Sequence, residues 1–109
     1  MSTQKKEYEV IQPPLEEYPV NRAGGKLTPL AGETIYKWDD NYWLAVMAIE
    51  TNYSGNNPRR SVRGYRWKWE RDREGNFRWM VDLKMNFNKR KQWEDFKAAA
   101  DRMFDSLNS

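Results

Sequence analysis

Between Tyr65 and Phe87 apolar and polar residues alternate on both sides of a short polar stretch. One parity holds Tyr65, Trp67, Trp69, Phe77, Trp79, Val81, Leu83, Met85 and Phe87; the other holds Arg66, Lys68, Glu70, Arg78, Asp82, Lys84 and Asn86. Period-two patterning of this length predicts a β-hairpin with one apolar and one polar face. Asp72 suits the first position of a type I turn, Arg73 and Glu74 its centre, and Gly75 the left-handed position that closes a bulged three-residue loop. Asp72 then faces Asn76, and counting back places Trp69 opposite Trp79, Trp67 opposite Val81 and Tyr65 opposite Leu83. On the other face Glu70 meets Arg78 and Arg66 meets Asp82. A slip of one residue would move the tryptophans to the charged side, so the register is strongly specified.

Upstream, Glu33 to Asp39 reads as a short strand, with Asp39 and Asp40 as turn or cap residues rather than metal ligands. Tyr42 to Tyr53 mixes helix formers (Leu44, Ala45, Met47, Ala48) with strand formers (Tyr42, Trp43, Val46, Ile49, Thr51, Tyr53) and is read as a strand. Its continuous apolar character suits a central strand covered on one face and dimerised or partly covered on the other. Residues 54–61, rich in Gly, Asn and Pro, read as a connecting loop. After the hairpin, Asn88 is the expected N-cap, and Trp93, Phe96, Ala100, Met103 and Leu107 recur at helical spacing with Phe104 at the edge of the stripe. That stripe is expected to cover the aromatic face of the sheet. The fold class is therefore α+β: a curved antiparallel sheet of three to four strands followed by one C-terminal amphipathic helix.

Residues 1–30 differ from the rest. Pro13, Pro14, Pro19, Gly24, Gly25 and Pro29 interrupt any regular element, and the apolar residues follow no sustained period. They are read as an extended or disordered arm, disordered over at least its first dozen residues or laid over the domain with Tyr18 and Leu27 as anchors. Residues 31–109 form the sheet and helix domain.

Composition narrows the chemistry. The chain of 109 residues contains no cysteine and no histidine, which removes disulfides, thiol chemistry, the usual zinc sites and histidine acid–base catalysis. No glycine-rich phosphate loop is present, and no cofactor or metal is expected; a non-enzymatic protein is. The longest apolar run, residues 42–49, is too short to span a bilayer, so a soluble, cytoplasmic protein without membrane contact is expected. Six Trp, six Tyr and four Phe supply a small aromatic core, and the net charge of +3 permits nucleic-acid binding without requiring it.

The order of four strands and a helix, together with Met85-Asn86-Phe87, Asn88 and Gln92-Trp93-Glu94-Asp95-Phe96 within Met80 to Asp101, resembles the transcriptional positive cofactor four family and its bacterial relatives. It resembles the Pur-alpha and Whirly groups more distantly. That resemblance implies a homodimer that binds single-stranded DNA or RNA; the many tryptophans depart from the family pattern, and no binding residue transfers by motif.

Candidate contacts therefore come from the residues themselves. Arg59, Arg60 and Arg63, read as loop cations, with Lys68, Lys84 and the helix-entry cations Lys89, Arg90 and Lys91, are the expected phosphate ligands. Tyr53 and Tyr65 are the expected stacking platforms, whereas Trp67, Trp69 and Trp79 are read as core beneath the helix. The leading reading is a single-stranded nucleic-acid-binding protein, in transcription or replication, acting as a homodimer because a marginal core and an open sheet edge invite pairing. The alternative is a small regulatory or inhibitory protein-interaction module of viral or bacterial origin.

Overall fold

The computed structural model describes residues 11–38 and 41–108, and within them shows a four-stranded antiparallel sheet followed by one helix. The strands β1 (Leu27–Trp38), β2 (Tyr42–Thr51), β3 (Arg59–Arg71) and β4 (Phe77–Phe87) pair in chain order, so the sheet is an open meander with β1 and β4 as its edges. Helix α1 spans Arg90–Leu107. Of the first dozen residues, read as disordered, residues 1–10 lie outside the described residues, as do Asp39 and Asp40, read as turn or cap; Gln12 is described and bonds Thr34 of β1.

The ambiguous segment is strand β2, and the hairpin turn forms as its residue types require. The Asp72 N–H donates to the Asn76 carbonyl at 2.9 Å, the Gly75 N–H donates to the Asp72 carbonyl at 3.1 Å, and Gly75 sits at φ +86°. Trp69 pairs with Trp79, Trp67 with Val81 and Glu70 with Arg78. The register then shifts between Arg66 and Trp67: Arg66 pairs with Leu83 and Tyr65 with Lys84, not with Leu83 as simple counting gives. Asp82 is the extra residue of this β-bulge. Because directly opposed residues share a face, the bulge turns Leu83, Met85 and Phe87 away from the face that carries Val81 and Trp79.

The core lies on one face of the sheet and is closed by the N-terminal segment, not by the helix. Trp43, Ala45, Met47 and Ile49 from β2 and Tyr65 and Trp67 from β3 are buried together with Tyr18, Val20 and Leu27. Tyr18 lies over the two central tryptophans, with ring centroids 5.4 Å from Trp43 and 6.2 Å from Trp67. Its hydroxyl belongs to a directed chain of hydrogen bonds. Trp43 Nε1–H donates to Thr34 Oγ1 (3.0 Å), that hydroxyl donates to Tyr18 Oη (3.1 Å), and Tyr18 donates to Gln12 Oε1 (3.0 Å). The Gln12 carboxamide in turn accepts from the Thr34 N–H and donates to the Thr34 carbonyl, which occupies backbone groups on the outer edge of β1.

Helix α1 buries none of its residues, and its apolar stripe does not cover the aromatic face of the sheet. Two physical reasons account for this. The N-terminal segment already occupies that face, and the bulge at Asp82 presents Phe87 on the opposite one. The helix meets the sheet through Phe87, whose ring lies 5.5 Å from Trp93 and 5.3 Å from Phe96, while Met103, Phe104 and Leu107 stay exposed. Its entry also differs from expectation. Lys89 rather than Asn88 is the capping position, and the Gln92 side-chain oxygen accepts from the N–H groups of both Asn88 and Lys89. A glutamine reaching back to N–H groups ahead of the first turn satisfies donors that an asparagine cap would otherwise serve. Among the described residues no helix is long and apolar enough to cross a membrane.

Candidate nucleic-acid interface

The register sorts every strand residue onto one of two faces, and their charges differ. On the face that carries the core stand Lys37, Arg59, Arg63, Arg71 and Lys84, and no strand carboxylate. The opposite face carries Glu33, Glu50 and Glu70 beside Arg60, Arg66, Lys68 and Arg78, and the Asp82 carboxylate accepts from Arg66 Nε at 2.7 Å. A surface with unopposed cations holds a positive potential, whereas alternating charges largely cancel.

The N-terminal segment covers the β1–β2 side of the basic face and leaves the β3–β4 hairpin open. There the aromatic residues form a continuous ledge. Trp43 stands edge-on to Trp79 at 5.6 Å, Trp79 edge-on to Trp69 at 5.2 Å, and Trp69 lies nearly parallel to Phe77 at 6.3 Å and 17°. Exposure rises along this series: Trp43 is buried, Trp79 half-buried, and Trp69 and Phe77 are 38% and 53% exposed. Cations lie on the rings. The Lys37 ammonium is 4.5 Å from the Trp43 centroid and 5.3 Å from that of Trp79, and the Arg71 guanidinium is 5.1 Å from Phe77. Between this ledge and residues 19–21 runs an open groove of about 800 Å³, lined by Pro19, Val20, Asn21, Trp69, Trp79 and Val81, with Arg78 and Met80 at its margin.

The expected contacts are dispersed by the fold. Arg59, Arg60 and Arg63 belong to strand β3, not to a loop, and alternation divides them. Arg60 points to the opposite face and donates to Glu50 at 3.0 Å. Arg63 is buried on the basic face, where Nη1 donates to the Tyr65 hydroxyl (3.0 Å) and Nε has no partner. Tyr65 cannot serve as a platform, because it is 3% exposed and its ring already stacks on Trp67 at 5.2 Å and 6°. Tyr53 is exposed in the β2–β3 loop. Lys68 is on the mixed-charge face within 3.9 Å of Glu70, whereas Lys84 is exposed on the basic face opposite Tyr65. Arg90 and Lys91 pair within the helix with Glu94 and Asp95, so the charges at the helix entry are offset locally. Lys89 is exposed beside them.

Sequence reading missed Trp69, Phe77, Arg71 and Lys37 as a group. The available signal was that the apolar parity of the hairpin extends past Trp67 to Trp69 and Phe77, farther than a small core can cover. Among the described residues no group of three or more carboxylates gathers in metal-binding geometry. No protein-family model, no curated protein and no solved structure matches this chain.

Proposed function

We propose that this protein binds single-stranded nucleic acid, without catalysis, along the β3–β4 half of its basic sheet face. The observation that carries the reading is the juxtaposition of the exposed, nearly parallel Trp69 and Phe77 rings with a face whose strand charges are all positive. Unstacked bases supply flat π surfaces that lie on such rings, each contributing roughly 1–3 kcal/mol, and the connecting phosphates follow cations. In this arrangement Trp69 and Phe77 receive bases at the groove mouth. Arg71, Lys37 and Lys84 neutralise phosphates, and Arg63, held by the Tyr65 hydroxyl, adds positive potential from beneath. Duplexes fit less well, since their bases are already stacked and paired. A role in transcription or replication and a cytoplasmic location accompany this reading, as does the resemblance of Met80 to Asp101 to the positive cofactor four family.

Fluorescence anisotropy with short labelled DNA and RNA single strands at several salt concentrations tests it. With three to five phosphate contacts, the log–log slope of affinity against salt should be about −2 to −4. Absence of binding to either polymer at low salt removes the proposal and leaves the protein-interaction reading, which rests on the open apolar sheet face described next.

A further inference from the structure

The face of the sheet opposite the core is uncovered, and the helix leaves it with its own apolar stripe uncovered. Trp38, Val46, Val62 and Leu83 on that face are 52%, 40%, 44% and 50% exposed. Phe96, Met103, Phe104 and Leu107 on α1 are 41%, 60%, 67% and 78% exposed. The two surfaces are continuous, because Phe87 closes the far end of the sheet face and its ring contacts both Trp93 and Phe96. Together they place eight large apolar side chains, each at least 40% exposed, on one surface, and a stable protein interface takes about 800 Å² from each partner. Contiguous apolar surface of that extent marks an interaction site.

Charge selects the occupant. The basic face would repel a second copy of itself. The open face instead balances Arg60, Arg66, Lys68 and Arg78 against Glu33, Glu50, Glu70 and Asp82. Helix α1 likewise balances Arg90, Lys91, Lys97 and Arg102 against Glu94, Asp95, Asp101 and Asp105. Both surfaces are thus neutral, and another copy of this chain meets no net repulsion there. Each chain also carries both halves of the contact, an unpartnered helix stripe and an unpartnered sheet face, which is the condition for a closed two-fold arrangement. At 18 residues, α1 is about 27 Å long and spans the sheet.

We infer that two copies exchange helices, the α1 stripe of one protomer seating on the open sheet face of the other, with the two basic faces directed outward. This is an association through faces rather than through the free edges of β1 and β4, and it does not depend on nucleic-acid binding.

Light scattering on the full chain without nucleic acid should give the mass of two chains, and the double variant Phe104→Asp/Leu107→Asp should weaken dimerisation by about 100-fold or more. Those side chains stand in solvent within one chain, so the sheet should keep its circular dichroism in the variant. Because the chain has no cysteine, Val46→Cys and Met103→Cys can each be introduced alone. A short bismaleimide added to a mixture of the two should link one to the other in excess of either self-linked product. A single-chain mass for the unmodified protein at every concentration overturns the proposal. So does a dimer that withstands the double variant, or a mixture in which the mixed product is not enriched.

Discussion

Gly32 and Tyr18 touch so closely that a Cβ on the glycine would stand 2.9 Å from Cε2 of the tyrosine ring, with Met47 Cε at 3.1 Å. The missing side chain is what lets the N-terminal segment lie flat on β1. Gly32→Val should cost about 1–3 kcal/mol by overpacking, and Tyr18→Ala about 3–5 kcal/mol by removing a buried aromatic ring. In a denaturant double-mutant cycle the two should be strongly non-additive, since removal of the ring relieves the clash. Additive costs would show that the segment does not rest on Gly32.

Gly75 tests the hairpin turn. Its φ of +86° lies where a β-branched residue is strained, so Gly75→Val should destabilise the protein by about 1 kcal/mol or more. An unchanged denaturation midpoint would refute the turn geometry.

Asp72 gives the turn a pH dependence. Its carboxylate accepts from the Asn76 N–H, from Arg78 and from the Glu74 N–H, and these hold its pKa below the ordinary 3.8. The folded value is the lower one, so the carboxylate stabilises the fold above the unfolded-state value, and that contribution is lost as pH falls through the folded value. Asp72→Asn should therefore be less stable than the parent at neutral pH, and the gap should narrow in strong acid. Melting temperatures of both proteins across that range check the sign; a gap that widens with acid contradicts it.

Trp93 has a smaller structural role than a core residue. It is half-buried against Phe87 and Phe96, so Trp93→Ala should cost about 1–2 kcal/mol. Trp67→Ala, fully buried, should cost about 3–5 kcal/mol. Chemical denaturation separates the two; equal losses would place α1 in the core.

Trp69→Ala should weaken single-strand binding about 5- to 100-fold while leaving its salt slope unchanged, because stacking releases no counterions. Arg71→Ala with Lys84→Ala should instead flatten the slope by about 1 to 1.5. Anisotropy titrations at three salt concentrations distinguish these effects, and a slope indifferent to the double substitution would move the phosphate path elsewhere.

Alternation and turn chemistry are local, and what they determine could be read directly from the chain. The hairpin from Tyr65 to Phe87, its turn at Asp72 to Gly75, the pairs nearest that turn, the strand nature of Tyr42 to Thr51 and the amphipathic helix all follow from residue types within one or two turns of chain. Tertiary structure decided what lies on which surface. Tyr18 sits among prolines with no periodic neighbours, and only the close approach allowed by Gly32 makes it the lid of the core. Once that face was filled, α1 could not cover it. One extra residue at Asp82 reversed the facing of Leu83, Met85 and Phe87, because side-chain direction in a strand depends on counting by two and a bulge changes the count. The same parity divided Arg59 and Arg63 from Arg60, neighbours in sequence, and gathered Lys37, Arg71 and Lys84, distant in sequence, on the face that carries Trp69. Charge in a sequence is a list, and the sheet turns it into one basic face and one face of balanced charge.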